Sequence, residues 1–271
     1  MFGSVKNVLK SFMIRNHVRI SRASAGPRVE RLLEDLRPMG TEHELIRIGG
    51  DGDGGYLVPN DLSGISACFS PGVSTVADFE LDLVGRRIPC FMADYSVEGP
   101  PVAHPLFDFE KKFLGSTDDD VFMQLDGWIQ RKASGLNDLI LQMDIEGAEY
   151  EVLLGMEADA LKKFRILVIE FHRLDALFDS LGFDLIKATF DRILANFDVV
   201  HIHPNNCLPL VSCDGIDIAP VMEFTFLRKD RIRKRETRND FPHVLDRKCV
   251  RELPDIPLPK SWYRGRFIPP A

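Results

Sequence analysis

The sequence lacks the features that mark several simple protein classes. No apolar run reaches the roughly 18 residues that a membrane-spanning helix needs. The N-terminus also lacks the compact apolar stretch of a secretory signal peptide. The five cysteines are odd in number and irregularly spaced, with no Cys-x-x-Cys pair among them. These absences argue against a membrane protein and against a disulfide framework, and they predict free thiols in a cytoplasmic protein.

Neither sign of charge dominates the chain, but the charged residues are unevenly distributed. The net charge of −7 over 271 residues gives no reason to expect a nucleic-acid partner. Residues 1–28 nevertheless contain six Lys or Arg and no acid, and residues 228–238 contain seven against two acids. Residues 5–20 predict a basic amphipathic helix, which either lies on an anionic membrane surface or is a peripheral helix or a frayed end.

The order of the predicted elements indicates an α/β protein. Apolar runs alternate with segments of helical period from residue 65 to residue 230, which favours a mainly parallel sheet. The last two runs, 197–206 and 220–230, are close enough in sequence for one antiparallel strand. A glycine-rich hairpin is predicted at 45–58, and helices at 116–133 and 185–197. We expect three regions: a basic helical extension (1–38), a catalytic domain (39–230) and a basic, proline-rich tail (231–271).

Polar residues stand where the predicted strands end. Gly72 lies in the turn Ser70–Ser74, Asp94 ends the next strand, and Asp144 ends a later one. Ligands of open α/β sheets bind at this carboxyl edge. The two oxygens of Asp94 match the vicinal hydroxyls of a ribose. The alternative is that each residue only forms a turn or caps a helix, as acids favour helix N-termini.

Two histidines in an alternating pattern form a second candidate feature. His201 and His203 lie two apart on a predicted strand, so both side chains are expected on the same side. With Asn205 and Asn206 they could line a pocket for the acceptor substrate. An ordinary strand edge is the alternative.

The segment LILQMDIEGAEYEVLLGM (139–156) resembles the signature of the FkbM-type methyltransferases, which are class I S-adenosylmethionine-dependent enzymes. The matching residues are Asp144, Glu146, Gly147, Glu149 and the pair Leu154-Gly155. Weaker similarity extends over about residues 45–230. The sequence departs from the broader class after its first sheet strand, where only Gly72 remains of a Gly-x-Gly turn.

The resemblance implies a Rossmann-like doubly wound fold, S-adenosylmethionine as methyl donor, and a set of site residues. The implied cofactor-binding residues are Asp53, Gly55, Ser70, Gly72, Ser74, Glu80, Asp94 and Asp144. The implied catalytic residues are Asp144 beside the reacting atoms, with Glu146, Glu170 or His172 as the base. A divalent metal, Mg²⁺ or Mn²⁺, held by Asp144 with Glu170 or His172 is a further option.

The expected activity is therefore methylation of a hydroxyl on a sugar, a glycan or a secondary metabolite. One alternative is an NAD-dependent oxidoreductase, which the missing spaced glycines of a nicotinamide fingerprint count against. The other alternative is a binding module that kept the fold without catalysis.

Overall fold

The computed structural model describes residues 22–264. Residues 1–21, which include the predicted basic helix at 5–20, and the last seven residues lie outside this range. The described chain contains six α-helices: α1 (Gly26–Asp35), α2 (Asp78–Gly85), α3 (Leu125–Lys132), α4 (Glu149–Gly155), α5 (Ala158–Leu161) and α6 (Ser180–Leu194). Short 3₁₀ turns span Leu174–Phe178, Lys229–Arg231 and Lys260–Trp262. None of the described helices is long and apolar enough to cross a bilayer.

The strands divide into one large sheet and four small pairs. The large sheet contains β4 (Cys68–Pro71), β5 (Cys90–Ala93), β6 (Phe107–Glu110), β9 (Leu139–Met143), β10 (Phe164–Phe171), β11 (Phe197–Pro204) and β14 (Met222–Arg228). The small pairs join β1 (Met39–Gly40) to β15 (Glu236–Thr237), β2 (Leu45–Ile48) to β3 (Tyr56–Pro59), β7 (Phe113–Leu114) to β8 (Phe122–Met123), and β12 (Val211–Cys213) to β13 (Ile216–Ile218).

The large sheet runs in the order β11-β14-β10-β9-β4-β5-β6. Its pairs are parallel from β6 across to β10, and β14 is antiparallel to both of its neighbours. The prediction of a mainly parallel α/β sheet with one antiparallel strand near the C-terminal end is confirmed. The chain enters at β4, proceeds to the β6 edge, and returns to the other side of β4 at β9. The order of the strands therefore reverses beside β4.

Both faces of the sheet are buried, because successive strand residues point to opposite sides. Phe69 and Leu141 belong to one core cluster together with Trp128 of α3 and Phe190 of α6. Their neighbours in sequence, including Cys68, belong to the second cluster with α2 and the β2–β3 hairpin. The fold thus leaves the carboxyl ends of the strands as the accessible edge.

The glycine-rich hairpin is confirmed: β2 and β3 pair antiparallel, and residues 49–55 form the loop between them. Glycine is required where this loop is tightest. A Cβ on Gly55 would lie 2.1 Å from the carbonyl oxygen of Gly50. The loop packs against itself and carries Asp53 to the carboxyl edge of the large sheet.

Two predicted helix starts are wrong. The helix predicted from residue 116 begins at Leu125, because Asp118 and Asp119 bind nearby backbone instead of starting a helix. Asp119 Oδ1 accepts hydrogen bonds from the amides of Val121 and Phe122, each at 2.8 Å. Such local bonds compete with a helix. The helix predicted from 185 begins at Ser180, five residues earlier.

The chain after β14 returns over the sheet. Residues 241–255, called here the covering segment, lie against β11 and β14. Phe241 stacks on the ring of His201, with 6.0 Å between ring centroids. Asn206 Nδ2 donates to the carbonyl oxygens of Val250, Leu253 and Pro254. The predicted irregular tail therefore contributes to the interior of the protein.

Candidate active site

A cavity of about 480 Å³ opens at the carboxyl edge of the large sheet. Its wall includes Gly72 after β4, Asp94 after β5 and Asp144 after β9. A smaller cavity of about 150 Å³ adjoins it and shares four of its lining residues: Asp53, Gly72, Ser74 and Asp144. The structure thus brings together the strand-end residues that the sequence singled out.

Gly72 joins two turns of the cavity wall. Its φ of +88° lies in the left-handed region, and a Cβ at this position would fall 1.6 Å from the carbonyl oxygen of Asp144. No side chain fits there, so the turn after β4 can contact the turn after β9. Gly72 therefore stands where these two turns leave no room for a side chain.

Asp94 is 4% exposed and held by backbone donors. Its Oδ2 accepts the amide of Ser74 at 2.8 Å, and its Oδ1 accepts the amide and hydroxyl of Ser96, each at 2.7 Å. Ser74 adopts a left-handed φ of +49° to reach this position. An ionised carboxylate offers about four acceptor sites, so Asp94 retains capacity for a bound hydroxyl.

Ser70 and Glu80 lie deeper than the sequence suggested. Ser70 is fully buried, and its Oγ is within hydrogen-bond distance of Glu80 and of Gln142 Oε1, the latter at 2.6 Å. Burial raises the pKa of Glu80 above its usual value. Glu80 lines the smaller cavity, whereas Ser70 lines neither. Gly55 also lines neither cavity. A glycine is needed there because its backbone packs against Gly50.

One imidazole lies among four carboxylates. His172 Nδ1 is 3.0 Å from Glu149 Oε1. His172 Nε2 is 3.5 Å from Glu146, 3.6 Å from Glu170 and 3.8 Å from Asp144. Burial alone would lower the pKa of His172, but the hydrogen bond to Glu149 and the surrounding negative charges outweigh it, so the pKa is raised. His172 is therefore favoured as an imidazolium.

Asp144 has an unusual proton affinity. Its Oδ1 is buried and makes no hydrogen bond among the described residues. Burial raises its pKa to about 7, opposed by the charge of His172 and reinforced by the charges of Glu146 and Asp53. An aspartate in this state exchanges its proton near neutral pH, on the wall of both cavities.

Glu170 is almost completely buried beside this group. Both of its oxygens lie 3.3 Å from Asn205 Nδ2. Burial raises the pKa of Glu170, and the charges of Asp144 and Glu223 raise it further. Glu146, by contrast, leaves 88% of its side chain exposed. The four predicted catalytic residues are thus close together but differ widely in solvation.

Glu149 is a site residue that the sequence placed only in the family signature. It is fully buried, and its Oε1 accepts the amides of Ile145 at 3.2 Å and Gly147 at 3.0 Å as well as His172. It therefore fixes both the loop after β9 and the imidazole. The sequence signal that could have identified Glu149 as a site residue is its place in the signature, five positions after Asp144.

Three aromatic or apolar residues of the cavity were also missed. Phe113, Leu114 and Phe122 line it, and the Phe113 and Phe122 rings lie 6.0 Å apart. They come from the short parallel pair β7–β8. A two-residue pair has no periodicity from which it could be predicted.

The structure covers the two candidate acceptor-pocket histidines. His201 and His203 are 2% and 3% exposed, and neither lines the two cavities. His201 Nε2 lies 2.8 Å from Asp246 of the covering segment. β11 is an edge strand of the large sheet, but the two histidines are not the ordinary exposed edge of the alternative interpretation, because both are buried. A substrate-binding role for them, or for Asn205, stays a prediction.

A metal at Asp144, Glu170 and His172 also stays a prediction. The described residues place ligand atoms of Asp144, Glu149 and His172 within 4.8 Å of one another. Glu149 thus takes the position expected for Glu170 in the closest grouping of potential ligands.

Comparison with known families bears on the same region. Residues 123–200 match the family model of the methyltransferase FkbM domain. The predicted resemblance is confirmed over this range. The FkbM match runs from β8 into β11 and includes Asp144, Glu149 and His172, and it supports a methyltransferase. Gly72 and Asp94 lie outside the FkbM match. A search of curated proteins finds no matching sequence.

Proposed function

We propose that the protein is an S-adenosylmethionine-dependent O-methyltransferase acting on a hydroxyl of a sugar, a glycan or a secondary metabolite. One observation carries this proposal. The Asp144 carboxyl, with a pKa of about 7 and an Oδ1 that makes no hydrogen bond among the described residues, lies on the wall of a cavity that also contains Asp94 and Gly72.

The residues present fit the methyl donor. The cavity volume of about 480 Å³ lies within the range of about 300–1,000 Å³ found for ligand pockets. In this proposal Asp94 accepts the ribose hydroxyls, and Phe113 and Phe122 flank the adenine. Gly72 lines both cavities, and its backbone would contact the methionine portion. When bound, S-adenosylmethionine supplies a methyl group already activated by its positive sulfur.

The acidic lining suits a positively charged ligand. Asp53 and Asp144 line both cavities. Burial raises the pKa of each of these carboxyls, and a bound cation would lower both pKa values and favour the ionised carboxylates. Carboxylates fixed in a partly dehydrated cleft favour a bound cation. The same residues would orient the sulfonium next to the acceptor, and positioning of this kind is worth about 7–11 kcal/mol in favourable cases.

Asp144 is the proposed general base. An attacking hydroxyl must lose its proton, and a base is most effective when its pKa is near the working pH. Asp144 meets this condition. His172, held by Glu149, acts as the cation that stabilises ionised Asp144. Glu170 is already bonded to Asn205, and Glu146 is largely in solvent, so each fits the role of base less well.

Binding calorimetry tests the cofactor assignment. We expect micromolar binding of S-adenosylhomocysteine and none of NAD. Asp94→Asn should weaken that binding at least tenfold, which is about 1.4 kcal/mol, because charge-assisted hydrogen bonds are lost. Asp120→Asn, at an exposed position, is the matched control. Thermal unfolding of both variants verifies that they are folded.

Each alternative has its own outcome in this assay. Binding of NAD alone would favour the oxidoreductase, and binding of neither nucleotide would favour a module without catalysis. Unchanged affinity in Asp94→Asn would remove the ribose assignment.

The cytoplasmic location remains part of the proposal, and all five cysteines are free, as a reducing compartment would require.

A further inference from the structure

A row of ionisable side chains crosses three strands on one face of the sheet. His203 of β11 pairs directly with Glu223 of β14, and Glu223 pairs directly with Glu170 of β10. All three are at most 7% exposed. Like charges directly opposite each other destabilise a sheet. Glu170 has partners of its own in Asn205 and in His172, whose Nε2 is 3.6 Å away. Glu223 therefore relies on partners on its other side, where His203 is directly opposite.

Cys249 of the covering segment completes the group. Its Sγ lies 3.1 Å from Glu223 Oε1, and His203 Nδ1 lies 3.4 Å from Glu223 Oε2. One ligand atom from each of the three residues lies within 4.8 Å of the others. Zinc bonds of about 2.0–2.3 Å give tetrahedral edges of about 3.3–3.8 Å, so small side-chain shifts would suffice.

The other nitrogen of His203 gives independent support. His203 Nε2 is buried and has no hydrogen-bond partner in the described part of the chain. Asp255 Oδ1 is 3.9 Å from it. Histidines that bind a metal through one ring nitrogen commonly direct the other at a carboxylate. Asp255 is in the position for that second interaction.

We propose that His203, Glu223 and Cys249 bind a zinc ion. The donor set of imidazole nitrogen, carboxylate oxygen and thiol sulfur matches zinc better than Mg²⁺ or Ca²⁺, which prefer oxygen. On binding, the Cys249 S–H bond breaks, its proton passes to solvent, and a sulfur–zinc bond forms. The site would tie the covering segment to the sheet, where Asn206 already holds the carbonyls of Val250 and Leu253.

This site is distinct from a metal at Asp144 and His172. None of its three ligands lines either cavity, and only this site contains a thiol. A thiolate signature therefore reports on it alone. The proposal does not depend on the methyltransferase activity, because its measurements use no methyl donor.

The experiment uses the full chain, stripped with a chelator and titrated with Zn²⁺ or Co²⁺. We expect one equivalent of zinc by elemental analysis and, with cobalt, an intense sulfur-to-cobalt charge-transfer band. Cys249→Ser should abolish the band and lower zinc affinity by at least a hundredfold. Cys207→Ser, which removes an exposed thiol, should leave both unchanged.

His203→Gln should also lower zinc affinity, while His172→Gln should not. Far-ultraviolet circular dichroism verifies that each variant is folded. Absence of stoichiometric zinc and of the cobalt–thiolate band in the wild-type chain overturns the proposal, whatever the variants do. A band that persists in Cys249→Ser overturns it as well, because another thiol would then be the ligand.

Discussion

Replacing Asp144 with Asn should make the fold less sensitive to pH while removing catalysis. The wild-type pKa of about 7 exceeds the ordinary aspartate value near 3.9, which the unfolded chain is expected to have. The folded protein therefore binds the proton more tightly than the unfolded chain. Stability is highest below about pH 4 with respect to this group and decreases as the pH rises to about 7.

The size of the effect follows from the difference in pKa. About three pKa units correspond to about 4 kcal/mol at the alkaline end. Between about pH 5 and pH 8, wild type should lose about 2–3 kcal/mol of folding free energy that Asp144→Asn does not lose. The raised pKa of His172 acts in the same direction, since its stabilising charge is lost as the pH rises. The two groups titrate as a pair, so the measured midpoint belongs to both.

Urea unfolding followed by circular dichroism at several pH values measures this difference directly. Asp120→Asn is the control, because Asp120 is exposed and is not among the charges that shift the pKa of Asp144 or His172. It should keep the wild-type pH dependence. Methyl transfer by Asp144→Asn should fall by about 10²- to 10⁴-fold. Parallel stability curves for wild type and Asp144→Asn would refute the burial argument, even if activity were lost.

Three further substitutions test the framework. Gly72→Ala should lower the free energy of unfolding by about 3 kcal/mol in urea, because alanine disfavours a left-handed backbone and its Cβ would clash with the turn after β9. Gly85→Ala is the control and should cost nothing, because there is open space around Gly85. Arg165→Met should cost about 1–3 kcal/mol in the same assay, because it removes the buried guanidinium that donates to the carbonyl oxygens of Asp61 and Ser63. Asp179→Ala should cost about 1 kcal/mol by removing the N-cap of α6. A loss below about 0.5 kcal/mol in any of the three would contradict its reasoning.

The sequence predicted the carboxyl edge well because strand ends are local. A parallel sheet brings successive strand ends to one edge, so Gly72, Asp94 and Asp144 were expected as neighbours from chain order alone. The residues whose positions this argument did not predict depend on contacts with residues distant in sequence. Ser70 lies below the cavity because Glu80 and Gln142 surround it.

The two histidines of β11 show a second limit of prediction from the sequence. Their alternation predicted correctly that they share a face, since they meet Asp246 and Glu223 on one side of the sheet. It could not predict what covers that face. The covering segment is about 40 residues further along the chain and has no regular period, so nothing local connects it to β11.

The position of β14 has a consequence for fragments of this protein. It is made last among the large-sheet strands, yet it lies between β10 and β11. Within the large sheet β11 pairs with no other strand, so a chain cut after residue 218 would lose β14 from this sheet and, with it, the attachment of β11. The unpaired backbone of β10 would then be an exposed hydrophobic edge, which is a template for aggregation. Proteolysis in the β13–β14 connection should consequently precipitate the protein and should not release a trimmed soluble core.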